Sequence, residues 1–244
     1  MGFHCEEARS TILFDLDGTL LPMDMKEFER AYFGGLCRAI PEMAPQELMK
    51  AVWNGVKAMA QNDGSRTNRE AFAESYRQAG YDYYGNEERY LEYYRTDFQK
   101  CAAVCPVTDV SREIVHTLQD KGYQVAVATN PIFPQIATWS RLAWLGLSAG
   151  EFPLVTTFEN SHFAKPNPRY YLEVCEKLGV APKDCVMVGN DVEEDGCAAS
   201  LGMEVLLVKD WLLNARNLPT EGFQTGTLTD VLEWAKSLPP CKEK

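Results

Sequence analysis

The chain predicts an α/β fold, a doubly wound parallel sheet into which an all-helical block is inserted. Three observations predict it. From Pro106 onward, short apolar runs alternate with helical periodicity, the pattern that builds parallel sheets with crossover helices. Between Asp24 and Cys105 the spacing is helical throughout, with no strand-like run. Ahead of that block stands Thr11-Ile12-Leu13-Phe14, a β-branched and aromatic run that reads as a buried strand. A chain of 244 residues suits one large domain or a core plus a modest insert.

In the insert, Asp24 to Ile40 reads as a first helix, with Phe28, Ala31, Tyr32, Gly35 and Leu36 on one face. Pro45 to Gln61 is a second, opened by proline and striped by Leu48, Val52, Val56 and Met59. The polar loop Asn62-Asp63-Gly64-Ser65-Arg66-Thr67 follows, then a helix from Asn68 to Ala79 and another from Glu87 to Cys101. Tyr81, Tyr83, Tyr84, Tyr90, Tyr93 and Tyr94 cluster here and read as core with hydroxyls at the rim, or as a binding platform. Beyond Pro106 the predicted order is helix 109–121, strand 124–129, helix 134–145, strand 154–158, helix 167–178, strand 185–189, helix 192–201 and strand 204–208. The tail from Pro239 to Lys244 is expected to fray. Residues 1–21 and 106–244 form the core domain and residues 22–105 the helical cap.

Composition narrows the function classes. Hydrophobic residues make up 45% of the chain and no apolar run reaches membrane-spanning length, so a soluble globular protein is expected. The opening MGFHCEEARS has no apolar secretory segment, and Glu6 stands where myristoylation wants Ser or Thr, so the cytoplasm is the default. The eight cysteines are dispersed without a CxxC, which favours reduced structural thiols. A net charge of −11 argues against nucleic acid or an anionic membrane as partner. A small anionic substrate remains compatible, provided that a lysine, an arginine or a metal supplies local positive charge.

The predicted strands end in residues that packing alone does not require. Asp15 and Asp17 close the first; two acids two apart repel, raise one pKa or share a cation, and strand geometry puts both on one face. A calcium loop has similar spacing, but it follows a helix and needs a third acid. Thr129 and Asn130 end the second strand, where a hydroxyl and a backbone amide can meet a phosphoryl oxygen or simply form an ST-turn. Lys165 sits in the stiff loop Ala164-Lys165-Pro166-Asn167-Pro168, either held at a site or solvated. Asp191 leaves an apolar strand after Gly189, which would let the backbone turn sharply, and Asp195 follows one helical turn on. Glu193 and Glu194 read as ordinary helix-start acids.

Taken in order, DLDGTL, ATN, AKPNP and GNDVEED resemble the haloacid dehalogenase-like (HAD-like) hydrolase superfamily over residues 10–21 and 106–210, with the helical block as its inserted cap. The resemblance implies a Rossmann-like core and a Mg²⁺-dependent phosphatase acting on a small phosphorylated metabolite. Asp15 would be the nucleophile forming an aspartyl-phosphate, and Asp17 the general acid and base. Mg²⁺ would bind Asp15, the Asp17 carbonyl and Asp191, with Asp195 orienting that shell, while Thr129, Asn130 and Lys165 hold the phosphoryl oxygens. Dehalogenases of the family lack the second acid, so Asp17 points to phosphate esters. A phosphomutase would share every core residue, and a phosphoryl-binding protein with little turnover would not need Asp17. Carbon–phosphorus cleavage uses a cap lysine, and nothing marks out Lys26, Lys50 or Lys57 for it. Arg66, in the loop resembling the one that reaches over the site in capped members, either meets a second anionic group or is solvated.

Overall fold

The computed structural model describes Phe3 and residues 9–241. Among them five strands form one parallel sheet: β1 (Thr11–Phe14), β2 (Gln124–Val127), β3 (Cys185–Gly189), β4 (Glu204–Val208) and β5 (Gln224–Gly226). Their order is β2-β1-β3-β4-β5. The register fixes where chemistry can occur. Phe14 pairs with Val127 on one side and Val188 on the other, so three strands finish level. Asp15, Ala128–Asn130 and Asn190–Asp191 therefore leave the sheet at one edge, the carboxyl edge where open α/β sheets bind ligands.

Side chains alternate between the faces, as the two-residue period requires. Ile12, Phe14, Val125, Val127, Val186 and Val188 belong to one apolar cluster. Leu13, Ala126, Met187, Val205 and Leu207 belong to the other. The helices α5 (Val110–Asp120), α6 (Gln135–Trp144) and α8 (Leu228–Ser237) contribute to the first, and α7 (Pro168–Leu178) to the second. A sheet covered on both faces explains strands that are almost wholly apolar.

The insert comprises α1 (Met25–Ala39), α2 (Pro45–Ala60), α3 (Asn68–Gln78) and α4 (Glu87–Arg95), then a 3-10 segment, Asp97–Val104. Local chemistry sets the starts: Asp24 caps α1, Pro45 opens α2, and Thr67 with Glu70 makes a capping box on α3. Tyr83, Tyr90, Tyr93 and Tyr94 are buried, whereas Tyr84 is half exposed. Two of the hydroxyls are bonded inside the insert: Tyr32 and Tyr94 share a 2.9 Å bond, and Tyr93 donates to the Tyr32 carbonyl. These tyrosines are core, with hydroxyls inside rather than at the rim.

Several expectations are corrected. The predicted strand 154–158 is reduced to one bridge, Val155 to Val127, because beyond Thr156 the Thr157 amide turns to Asn160 Oδ1 and the Phe158 amide to the Phe133 carbonyl. The predicted helix 192–201 is a turn that Asp191 caps, followed by a 3-10 segment, Gly196–Leu201, in which the Ala198 amide donates to the Asp195 carbonyl three residues back. The fourth cap helix stops at Arg95. The short β5 and α8 were not foreseen; α8 starts in a Thr227–Asp230 capping box. The tail does not fray as far as Cys241, whose amide donates to Lys121 while the Lys121 ammonium reaches the carbonyls of Ala235, Lys236 and Leu238. Residues 242–244 lie outside the described residues. Cys37, Cys101, Cys105, Cys175, Cys185 and Cys197 are free thiols as expected, and Cys5 lies outside the described residues.

The insert is pinned to the core by one buried polar residue. Asn68 is wholly buried, its amide N–H donates to the Ser161 carbonyl at 2.8 Å, and its side chain donates to the carbonyls of Pro131 and Phe163. Asn62 completes the set by donating to Asn68 Oδ1 at 2.9 Å. Asn68→Ala strands two carbonyls and should lower unfolding free energy by about 1–3 kcal/mol, read as a shifted urea midpoint. An unchanged midpoint would show that the pin carries no stability.

Candidate active site

Asp15 follows the last residue of β1, with its amide bonded to the Val188 carbonyl at 2.9 Å. Because the strand ends at Phe14, the one-face expectation does not extend to both acids; they meet different partners in the turn. Gly18 makes that turn possible with φ +81°, and a Cβ there would lie 2.3 Å from Asn190 Nδ2. Asp15 Oδ1 accepts from Lys165 Nζ at 2.9 Å, and Thr19 Oγ1 approaches Oδ2 at 3.4 Å. Asp17 Oδ2 is ion-paired with Arg141 Nη1, while Asp17 Oδ1 is buried and has no hydrogen-bond partner among the described residues.

Lys165 is the hub. Its side chain is completely buried and its ammonium is shared between Asp15 and Asp195 Oδ1, the latter at 2.6 Å. The rings of Tyr170 and Tyr171 lie about 6 Å from it. Its peptide bond to Pro166 is cis. Asp195 Oδ2 accepts the amides of Asn190 and Asp191, each at 2.9 Å. This explains Gly189 differently from the sequence reading. No sharp turn needs it; a Cβ at Gly189 would stand 2.1 Å from Asp195 Oδ2, so the glycine makes room for that carboxylate.

The remaining expected residues surround this hub. Asp191 Oδ1 accepts the amides of Glu193 and Glu194. Thr129 is buried, and its carbonyl is held by the hydroxyls of Thr156 and Tyr170. Asn130 bridges two loops, accepting from the Lys165 amide and donating to Glu194 Oε1 at 2.9 Å. The structure thus gathers Asp15, Asp17, Thr129, Asn130, Lys165, Asp191 and Asp195 at one sheet edge. Arg66 is not gathered with them: it is exposed and lines a surface groove with Glu70, Glu74 and Arg77.

Burial governs the electrostatics. It pushes the Asp15 carboxyl up to about 7 despite the Lys165 charge, with Asp195 and Asp17 adding to the rise. Burial alone would lower Lys165, but Asp15 and Asp195 override it and hold the ammonium well above its ordinary range. Asp191 is also raised, chiefly by burial, and Glu194 is pushed up to about 8 for the same reason.

Two participants escaped the sequence reading. Glu194, taken as a helix-start acid, turns inward to Asn130. Arg141 is fully buried on α6. Its signal was available: it occupies the apolar stripe of that helix with Ala137, Thr138 and Leu142, where an arginine demands a buried partner.

Among the described residues, no three His, Cys, Asp or Glu side chains are gathered as a metal-binding cluster. The set implied for Mg²⁺ needs only two carboxylates and a main-chain carbonyl. Asp15, the Asp17 carbonyl and Asp191 offer hard oxygens of the type that ion prefers. The buried Asp15 keeps Oδ2 engaged only by the long Thr19 contact. The residues present therefore fit a small divalent cation.

A haloacid dehalogenase-like hydrolase family profile matches residues 10–201, and the chain belongs to that family. It is 31% identical over 135 residues to a glyceraldehyde 3-phosphate phosphatase of Methanothermobacter thermautotrophicus, covering 54% of this chain and 58% of that one. The chain thus spans little more than half the length of that relative. A HAD phosphatase from Thermococcus onnurineus shares the fold with TM-score 0.58 at 20% identity, over 92% of this chain and 97% of the other. A magnesium-bound HAD-hydrolase from Bacillus subtilis superposes with TM-score 0.58 at 18% identity, over 94% of this chain and all of the other.

Lys165→Met leaves the buried Asp15 and Asp195 without their cation. The expected loss is about 3–5 kcal/mol of unfolding free energy in urea titration. A loss below about 1 kcal/mol would mean that the acids do not depend on Lys165.

Proposed function

We propose that this chain is a Mg²⁺-dependent phosphatase that hydrolyses a small phosphorylated metabolite through an aspartyl-phosphate on Asp15. One observation carries the reading: a buried ammonium lies 2.9 Å from a buried aspartate at the sheet edge, beside a second acid in the same turn. An anionic phosphoryl group entering there meets local positive charge, which a chain of net charge −11 must concentrate at such a site. The phosphatase names of a relative and a fold neighbour support the same chemistry. The net charge favours a small ester over nucleic acid as substrate.

In this mechanism Lys165, the hydroxyl of Thr129 and the backbone at Asn130 hold the phosphoryl oxygens and align the phosphorus with Asp15. An Asp15 oxygen attacks phosphorus, the ester P–O bond breaks, and Asp17 gives a proton to the departing oxygen. Water then attacks the aspartyl-phosphate, Asp17 takes its proton, and inorganic phosphate leaves with Asp15 restored. Asp15, the Asp17 carbonyl and Asp191 would hold Mg²⁺, which would supply further positive charge at the phosphoryl oxygens. Asp195 keeps Lys165 and the Asn190–Asp191 backbone in place. Residues 22–105 act as the cap over a core of residues 1–21 and 106–244. Arg66 has no part in this reading, since its guanidinium lies among the acids of α3.

Asp15→Asn should lower kcat by roughly 10³-fold or more on p-nitrophenyl phosphate or glyceraldehyde 3-phosphate, with the melting temperature preserved. Wild-type turnover retained in that variant would remove the covalent mechanism. Chelation should abolish activity and Mg²⁺ restore it, whereas Ca²⁺, which prefers more ligands and looser geometry, should substitute poorly. Full turnover in excess chelator would sink the metal assignment.

A further inference from the structure

We propose that Arg141 is a positioning residue for the reaction, dividing the two oxygens of Asp17 between an anchored atom and a working one; this rests on the phosphatase reading. Arg141 lies on α6, far from every motif that carries the family resemblance, yet no part of it is exposed. Its Nη1 pairs with Asp17 Oδ2, Nη2 donates to Thr138 Oγ1 at 3.1 Å, and Nε donates to the Ala137 carbonyl at 3.3 Å. The guanidinium plane is backed by the Phe133 ring, whose centroid is 4.3 Å from Cζ. Four independent contacts leave the fork one orientation.

A purely structural role accounts poorly for this arrangement. Removing a guanidinium from water costs several kcal/mol, and an apolar side chain of similar size commonly serves a core as well or better. The stripe formed by Ala137 and Leu142 would accept one. What an apolar residue cannot do is fix the plane of a carboxylate. Arg141 binds one Asp17 oxygen and leaves the other, Oδ1, buried with no hydrogen-bond partner among the described residues. An unpartnered buried acceptor costs about 1–3 kcal/mol and calls for an explanation. The explanation here is the ester oxygen of the substrate, which Oδ1 meets during P–O cleavage. Oδ2 holds the carboxyl still while Oδ1 passes the proton.

Phe133 extends the same chain of contacts outward. It lines an apolar cavity of about 100 Å³ between the core and the cap, facing Phe28, Tyr32 and Phe72. The same ring therefore lines that cavity and supports the Arg141 guanidinium. The cap wall and the proton-handling acid are coupled through a single stacked pair.

The test is the dependence of rate on leaving group across substituted phenyl phosphates, from p-nitrophenyl to p-methoxyphenyl. Good leaving groups depart without a proton and poor ones need it. Arg141→Met should lower kcat/KM, which reports the step up to release of the phenol, less than about 3-fold on the p-nitrophenyl ester and roughly 10²-fold on the p-methoxyphenyl ester, steepening the correlation. Arg141→Lys, which keeps the charge and the fold if methionine does not, should give an intermediate slope. In an Asp17→Asn background neither change should steepen it further, because Arg141 acts through that acid. A uniform loss across the series, an unchanged slope, or further steepening without Asp17 would overturn the proposal. A wild type inert toward every ester would remove the phosphatase reading and this inference together. A wild type that turns the series over with a slope indifferent to Arg141 would remove this inference alone.

Discussion

The site depends on one buried ammonium. Lys165 is bonded to Asp15, which follows β1, and to Asp195, which follows β3, so a single charge ties together the ends of two strands. Asp195 extends the tie through its second oxygen to the Asn190 and Asp191 amides. None of these groups is tolerable alone in an apolar setting: each carboxylate would be an unpaired buried charge, and so would the lysine. Their mutual dependence explains local features that look unrelated in the sequence. Gly189 is small because Asp195 must sit against it, and the backbone after β3 turns tightly enough for the Asn190 and Asp191 amides both to reach that carboxylate.

The sheet makes this tie possible. Parallel pairing sets Phe14, Val127 and Val188 side by side, and each following residue inherits that alignment. The loops then converge without long reaches. Asn130 joins the Lys165 loop to Glu194, while Asn68 fastens the helical insert to the carbonyls of Pro131 and Phe163, next to the same two loops. The insert is thus attached beside the loops that carry Asn130 and Lys165, and its attachment and their placement share one patch of backbone.

How much of this could be read beforehand follows from how local each signal is. Strand runs such as Thr11–Phe14 and Cys185–Gly189, and helix starts marked by Asp24, Pro45 or Asn167, are written in adjacent residues and were legible. So were the polar residues at the strand ends, because buried strands do not finish in acids without cause. The failures share a physical origin. The segment after Asp191 has helical composition and a capped start but runs on as a 3-10 segment; the Thr157 and Phe158 amides go to Asn160 Oδ1 and the Phe133 carbonyl, and the predicted strand is cut short. β5 is three residues long and gains its identity only by pairing with β4. Glu194 faces inward because Asn130, sixty-four positions away, offers it a donor. Tertiary partners of that kind leave no local trace.

Two acids two residues apart had three available solutions: repulsion relieved by protonation, a shared cation, or a partner each. The described structure takes the third and retains part of the first. Asp15 is paired with Lys165 and Asp17 with Arg141, both cations completely buried, while burial still raises the Asp15 carboxyl to about 7. The division matters for chemistry. A nucleophile needs a nearby cation that can also meet the incoming phosphoryl group, and a flexible ammonium with three donors can turn from one to the other. A proton-handling acid needs a fixed direction, and the rigid fork of a guanidinium supplies it. Exchanging the two cations would give the nucleophile a partner that cannot swivel and the acid one that cannot hold it. In the proposed mechanism, lysine at position 165 and arginine at position 141 therefore suit the separate tasks of the carboxylates they face.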